Sequence, residues 1–190
     1  ISAQTMQSLQ IAVESRETGS VKSANAVRVL EQSVDQLEGE MREKHIRRLS
    51  KGKCDPESGV IFLDIISNLE RIGDHAVNLA EYGDDMRKWE IDFSDTVKEE
   101  LNEMKAQCIA ALDNLKEVTS ENVERILSQA VIIEQKTDDM RDKYFKKQMQ
   151  RLKKGKCKPQ SGIVFSEILT DFERMGDHAL NIAQQYREME

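Results

Sequence analysis

The sequence predicts an all-α protein, and three observations carry that reading. Charged residues make up 33% of the chain against 5% aromatics, only 9 Gly and 2 Pro punctuate 190 residues, and apolar residues recur at helical spacing. Scarce Gly and Pro with abundant charge favour long helices held by aliphatic packing over strands broken by turns. Val27, Leu30, Val34, Leu37 and Met41 alternate by three and four, as do Ile65, Leu69, Ile72, Ala76 and Leu79. Each set therefore lies along one stripe of a helix, and these stripes are read as bundle core, with no chemistry assigned to them.

An internal duplication organises the chain. Lys51-Gly52-Lys53-Cys54 recurs as Lys154-Gly155-Lys156-Cys157, and the run from Glu70 to Ala76 recurs from Glu173 to Ala179, both at an offset of 103 residues without insertion. The same offset takes Pro56 to Pro159, Ser58-Gly59 to Ser161-Gly162 and Asn78 to Asn181. Two tandem antiparallel three-helix bundles are expected, residues 1–88 and 94–190, each burying its own stripes and carrying its own copy of any site.

The elements follow in order. The first helix runs from Ile1 to about Glu14 with an apolar pattern of Met6, Leu9, Ala12 and Val13, and ends before Gly19. Ser20 can cap the second, which continues to Lys51 until Gly52 stops it. The third begins at Pro56, because proline suits a first helical position and Asp55 is a good N-cap. It reaches about Arg87, Lys88 to Phe93 link the halves, and Ser94 opens the second trio. That trio spans roughly Asp95–Lys116, Ser120–Lys154 and Pro159–Arg187. The Lys-Gly-Lys-Cys segments read as helix ends, where lysines complement the dipole and Gly reverses the backbone.

Composition excludes several function classes. A net charge of −7 and a pI near 5.2 mean that nucleic acid or an anionic lipid surface would repel most of the protein, whereas metal cations and basic partner surfaces suit it. Cys54, Cys108 and Cys157 form no CxxC pair, so reduced thiols in a cytoplasmic setting are expected. No run of eighteen apolar residues is present to span a membrane. The chain opens inside a helical pattern without Met or a signal-peptide pattern, from which an excised fragment is expected.

The carboxylates carry the chemistry. Glu70 and Asp74 are four apart, which places both on one helix face roughly 6 Å from each other. Glu31 and Asp35 have the same spacing on the preceding helix, and the offset maps these four onto Glu173, Asp177, Glu134 and Asp138. With antiparallel helices at roughly 8–10 Å, four carboxylates converge in each unit. Such a group repels itself without counter-charge, and oxygen-rich sets suit hard or borderline ions such as Mg, Mn, Fe, Ca or Zn, divalent or trivalent.

One such pair alone would more often be a solvated face; four pairs at one repeat offset reverse those odds. With Leu69 and Ile72 facing the core, Glu70 and Asp74 point outward, so an open surface site is expected. Gly73 and Gly176 cost about 1 kcal/mol each relative to alanine in mid-helix, for which close approach by a neighbouring helix or a metal cluster is the expected reason. His75 and His178 lie about 100° round the helix from the adjacent Asp, which favours outer hydrogen bonding or a buried helix contact over ligation. Asn78 and Asn181 fall on the ligand face, as donors to a carboxylate or as carbonyl ligands.

The twin segments Glu70-Arg71-Ile72-Gly73-Asp74-His75-Ala76-Val77-Asn78-Leu79 and Glu173-Arg174-Met175-Gly176-Asp177-His178-Ala179-Leu180-Asn181-Ile182 resemble the signature of PhoU domains. Membership would imply multinuclear metal clusters on the bundle surface held by Glu31, Asp35, Glu70 and Asp74 in one unit and by Glu134, Asp138, Glu173 and Asp177 in the other. The run from Gly52 to Ile72 is similar to the PhoU-type tail that follows the membrane region of bacterial sodium/phosphate cotransporters.

That resemblance implies a non-catalytic, cytoplasmic regulator of phosphate uptake at the inner face of the cell membrane. Its partner would be a phosphate transporter component or its own upstream membrane domain, with homo-oligomers compatible and nucleic acid excluded. Two other classes fit the residues, a metal-dependent carboxylate-bundle enzyme and a metal-free acidic scaffold. No catalytic nucleophile with an adjacent His and acid is discernible.

Overall fold

A computed structural model describes residues 2–18 and 21–189, apart from the side chains of residues 2, 6, 13–18 and 21. Gly19 and the Ser20 cap lie outside these residues, as do the side chains of Met6 and Val13. Six helices follow in order: α1 (Ser2–Thr18), α2 (Val21–Leu49), α3 (Pro56–Lys88), α4 (Asp95–Asn114), α5 (Val123–Lys153) and α6 (Pro159–Glu188). No strand occurs among the described residues, so the all-α class holds. No helix among them is long and apolar enough to cross a membrane.

Local chemistry sets most boundaries where the sequence places them. Gly52 and Gly155 adopt φ of +61° and +63°, a left-handed conformation in which a side chain is strained. The two turns share one hydrogen-bond pattern: Lys53 N–H donates to the Arg48 carbonyl, and Lys156 N–H to that of Arg151, each at 2.9 Å. At the start of α3 the Asp55 carboxylate accepts from Ser58 N–H at 2.9 Å. The start of α5 departs from expectation by three residues. Asn122 Oδ1 accepts from Thr119 N–H at 2.8 Å and its Nδ2 donates to the Glu117 carbonyl at 3.0 Å, so a local turn competes with the helix until Val123.

Helices α1, α2 and α3 pack on one another, α4, α5 and α6 do likewise, and α3 lies against α6. Burial is not divided between the trios: one cluster runs from Leu9, Val27 and Ile72 through Leu101 and Tyr144 to Phe172 and Ile182. Of the core stripes, Val27, Val34, Ile72, Ala76 and Leu79 are fully buried and Ile65 is buried, while Leu30, Leu37 and Leu69 are half-buried. Met41, at the end of its stripe, instead lines a surface groove with Phe62 and Arg48. A buried Glu100 ties α4 to α5 through Lys147 Nζ at 3.0 Å and Arg151 Nη2 at 2.7 Å.

The close helix approach falls at glycines other than those expected. A Cβ on Gly59 would sit 2.7 Å from His45 Nε2, and one on Gly162 2.7 Å from Leu152 Cδ1, so α3 and α6 cross their preceding helices there. On Gly73 the nearest atom would be Val34 Cγ1 at 3.7 Å, and on Gly176 Thr137 Cγ2 at 3.8 Å, which is ordinary contact. Neighbour packing therefore does not require glycine at either position. Gly73→Ala is expected to raise stability by about 0.5–1 kcal/mol, read by urea denaturation of metal-free protein; a loss of that size would show a crowding that the neighbouring helices do not impose.

Candidate metal centre

Glu31 and Asp35 occupy adjacent turns of α2, and Asp74 projects from the facing stretch of α3. Oxygen atoms of these three carboxylates all lie within 4.8 Å of one another. In the second trio Glu134 and Asp138 of α5 meet Asp177 of α6 within the same limit. Six of the eight carboxylates singled out in the sequence thus form two triads at the repeat offset. Glu70 and Glu173 lie outside the triads yet close enough to act on them electrostatically, Glu70 on Asp74 and Asp35, Glu173 on Asp177 and Asp138.

The triads sit in an unfavourable charge state. Burial, then a hydrogen bond and repulsion from Asp35, push Glu31 up to about 7. Burial first and neighbouring carboxylates second also raise Glu70, Asp74, Glu134, Glu173 and Asp177. In the second trio Asp138 Oδ1 and Glu173 Oε2 are buried with no hydrogen-bond partner. Buried polar atoms ordinarily find hydrogen-bond partners, so these two carboxylate oxygens beside an all-oxygen triad fit a hard cation, although Arg174 Nε lies 3.7 Å from Glu173 Oε2. The outward orientation read from heptad position is only partly right: Asp74 is exposed, but the Glu173 side chain is 16% exposed and that of Asp177 29%. The flank of α6 that bears them faces α5, which shields what a single-helix projection leaves open.

The histidines are helix contacts. His75 Nδ1 donates to Asp171 Oδ1 at 2.7 Å, and Asn78 Nδ2 donates to the same oxygen at 3.3 Å. At the repeat-related place His178 Nδ1 donates to Asn68 Oδ1 at 2.9 Å and Asn181 Nδ2 at 3.4 Å. Residue numbers rise on one helix as they fall on the other, so α3 and α6 run antiparallel, and the two imidazoles stack with centroids 5.5 Å apart. Burial, then the neighbouring His75, Arg71 and Arg174, hold His178 down at about 4. Asn78 and Asn181 serve this seam rather than the triads.

Sequence reasoning missed Asn68 and Asp171, both buried acceptors in the seam. Their signal was available: they are the same repeat position, and each follows an apolar stretch at the same distance before the signature. The residue type differs, Asn in one copy and Asp in the other, which hid the match.

The family model described as "PhoU domain" matches residues 1–83 and 101–186. The phosphate-specific transport system accessory protein PhoU homolog 1 of Thermotoga maritima is 27% identical over 183 residues, covering 94% of this chain and 78% of that protein. Among solved structures, PhoU from Pseudomonas aeruginosa superposes with a TM-score of 0.89 at 17% identity, over 99% of this chain and 90% of that one. The phosphate transport system regulatory protein PhoU from Streptococcus pneumoniae gives 0.82 at 15% identity, over 99% and 88%. At those identities the structural likeness speaks for the fold.

Proposed function

The chain belongs to the PhoU domain family, and on that premise we propose that it is a metal-binding regulator of phosphate uptake that acts through protein contacts. Residues 1–88 and 94–190 are read as its two repeats, each holding cations on its own triad. Glu31, Asp35 and Asp74 would bind in the first and Glu134, Asp138 and Asp177 in the second, with Glu70 and Glu173 beside them. One observation carries the metal reading: Asp138 Oδ1 and Glu173 Oε2 are buried and make no hydrogen bond where acids already crowd, the Glu173 oxygen having only Arg174 Nε at 3.7 Å. A bound divalent or trivalent cation would offset most of the negative charge of each triad.

The role of accessory to a phosphate transport system comes from the T. maritima relative's name. We read the chain as cytoplasmic and as working at the inner membrane face, with the tail of a sodium/phosphate cotransporter as its setting, on the residues from Gly52 to Ile72. Catalysis is disfavoured because the triads carry no adjacent nucleophile and no positioned acid beside an enclosed pocket.

Metal analysis of protein purified without added metal tests the central claim. Wild type should carry ions, and a Glu31→Gln, Asp35→Asn, Asp74→Asn variant should retain about half with unchanged helicity, since each site is complete within its trio. Metal-free wild type would favour an acidic scaffold, and saturable hydrolysis of phosphate esters by the loaded protein would favour an enzyme. Pull-down with the upstream membrane segment against a transporter ATPase separates a fused from a free-standing regulator.

A further inference from the structure

The net charge of −7 conceals a sharply uneven distribution. Fourteen of the 28 Lys and Arg residues fall in two short segments, 41–53 and 143–158, where α2 turns into α3 and α5 turns into α6. Because α3 and α6 run antiparallel, the two basic ends lie at opposite poles of the molecule. They are not equivalent. In the first, Arg42, Lys44 and Arg47 each pair with a glutamate one turn back, Glu38, Glu40 and Glu43, and α3 is capped by Asp55. That leaves Lys51 and Lys53 as this segment's exposed lysines without a carboxylate among the described residues, beside exposed Ile46 and Val60.

The second segment contains eight basic residues and no acid. Lys147 and Arg151 neutralise Glu100. Lys146, Lys153, Lys154, Lys156 and Lys158 have no carboxylate partner among the described residues and are all exposed. Lys158 stands where the first repeat has the capping Asp55, and it makes no cap, so the positive N-terminus of α6 adds to the same field. Two large apolar side chains are exposed at this pole, Phe145 at 42% and Ile163 at 54%.

We propose that the α5–α6 pole, bearing Lys146, Lys153, Lys154, Lys156 and Lys158 with Phe145 and Ile163, is a docking surface for anionic lipid headgroups. The free cations are all lysines, flexible point charges suited to a diffuse anionic plane, whereas a fixed acidic protein site would favour the bidentate fork of arginine. Unpaired lysines beside exposed apolar groups are the composition that binds at a lipid interface, where charge attracts and apolar groups enter the acyl boundary. The segment itself holds no acid to repel lipid; Glu90 and Asp92 line a cavity with Lys156 and Lys158, and Asp92 pairs with Lys98. The surface is independent of the metal reading: Lys153 lies fifteen residues beyond Asp138 on α5, about 22 Å along the helix axis.

Co-sedimentation of the full chain with vesicles of phosphatidylglycerol mixed into phosphatidylcholine tests this. Wild type should bind these and not pure phosphatidylcholine, with binding that weakens as salt rises and survives chelation of metal. Neutralising the five lysines to Gln should lower vesicle affinity by about tenfold or more, given the electrostatic contribution of each cation at an anionic surface. The same number of neutralisations at Lys22, Lys116, Arg125, Lys136 and Arg187 should leave it nearly unchanged, and circular dichroism checks both folds. Phe145→Ser with Ile163→Ser should weaken vesicle binding and leave any binding of single-stranded DNA unaltered.

Equal loss in the two five-residue variants would overturn the proposal. So would failure to distinguish the two vesicle types. Vesicle binding indifferent to Phe145 and Ile163, with DNA bound as tightly, would make the pole a polyanion site and the lipid assignment wrong. Metal content unchanged alongside lost vesicle binding would locate the failure in the lipid surface alone.

Discussion

In chelator, raising the pH from about 5 to about 8 should lower the stability contributed by the carboxylate clusters, and adding a divalent cation should restore it. The sign follows from the direction of the shifts. Glu31 stands at about 7 in the fold against an ordinary 4.5, and Glu70, Asp74, Glu134, Glu173 and Asp177 are raised too. Between those limits the native state holds more protons than the unfolded chain. Stability from these groups is complete below the ordinary carboxyl range and is lost as pH climbs through the raised values.

A cation at a hundred times its Kd should then add about 2.7 kcal/mol for each site, because it binds the native state alone. Thermal melts across pH, with and without metal, read both effects. A variant with Glu31→Gln and Glu134→Gln should show a flatter pH slope than wild type. Melts insensitive to metal, with identical slopes in the two proteins, would remove the triads from the mechanism.

Truncating Phe172 to alanine should cost about 3–5 kcal/mol, the loss expected when a fully enclosed aromatic leaves a cavity that its neighbours cannot close. Phe172 is 0% exposed in the large cluster that both trios share, whereas its repeat partner Leu69 is only partly buried against that cluster. Leu69→Ala should therefore cost clearly less. Denaturant midpoints of the two variants test this directly. Equal losses would mean that the two halves bury their signature helices alike, contrary to the one-sided enclosure of Phe172.

The comparison also shows which kind of information each residue carried. Gly52 and Gly155 stop helices because of their own backbone freedom, and Asp55 caps α3 with its own side chain, so both were legible from local sequence. The 103-residue offset carried Glu31, Asp35 and Asp74 onto Glu134, Asp138 and Asp177, and the fold brings both sets together. Helical spacing put Glu31 with Asp35 and Glu134 with Asp138, since i and i+4 share a face; Asp74 and Asp177 join them only through the packing of α3 on α2 and of α6 on α5.

Spacing along one helix says nothing about what crosses it, and that is where reading ahead fell short. Heptad position turns Glu70 and Asp74 outward, yet at the repeat-related Glu173 α5 lies over the side chain and leaves one oxygen buried without a hydrogen bond. Of the two reasons expected for Gly73 and Gly176, a neighbouring helix or a metal cluster, the close helix approach occurs instead at Gly59 and Gly162. The sequence by itself determined the helices, their turns and the repeated acidic pairs, because propensity, capping and periodicity act within a few residues. Only the tertiary structure decided that α3 and α6 pack antiparallel and that His75 meets Asp171 while His178 meets Asn68, because those contacts join residues about a hundred positions apart through packing that no local pattern encodes.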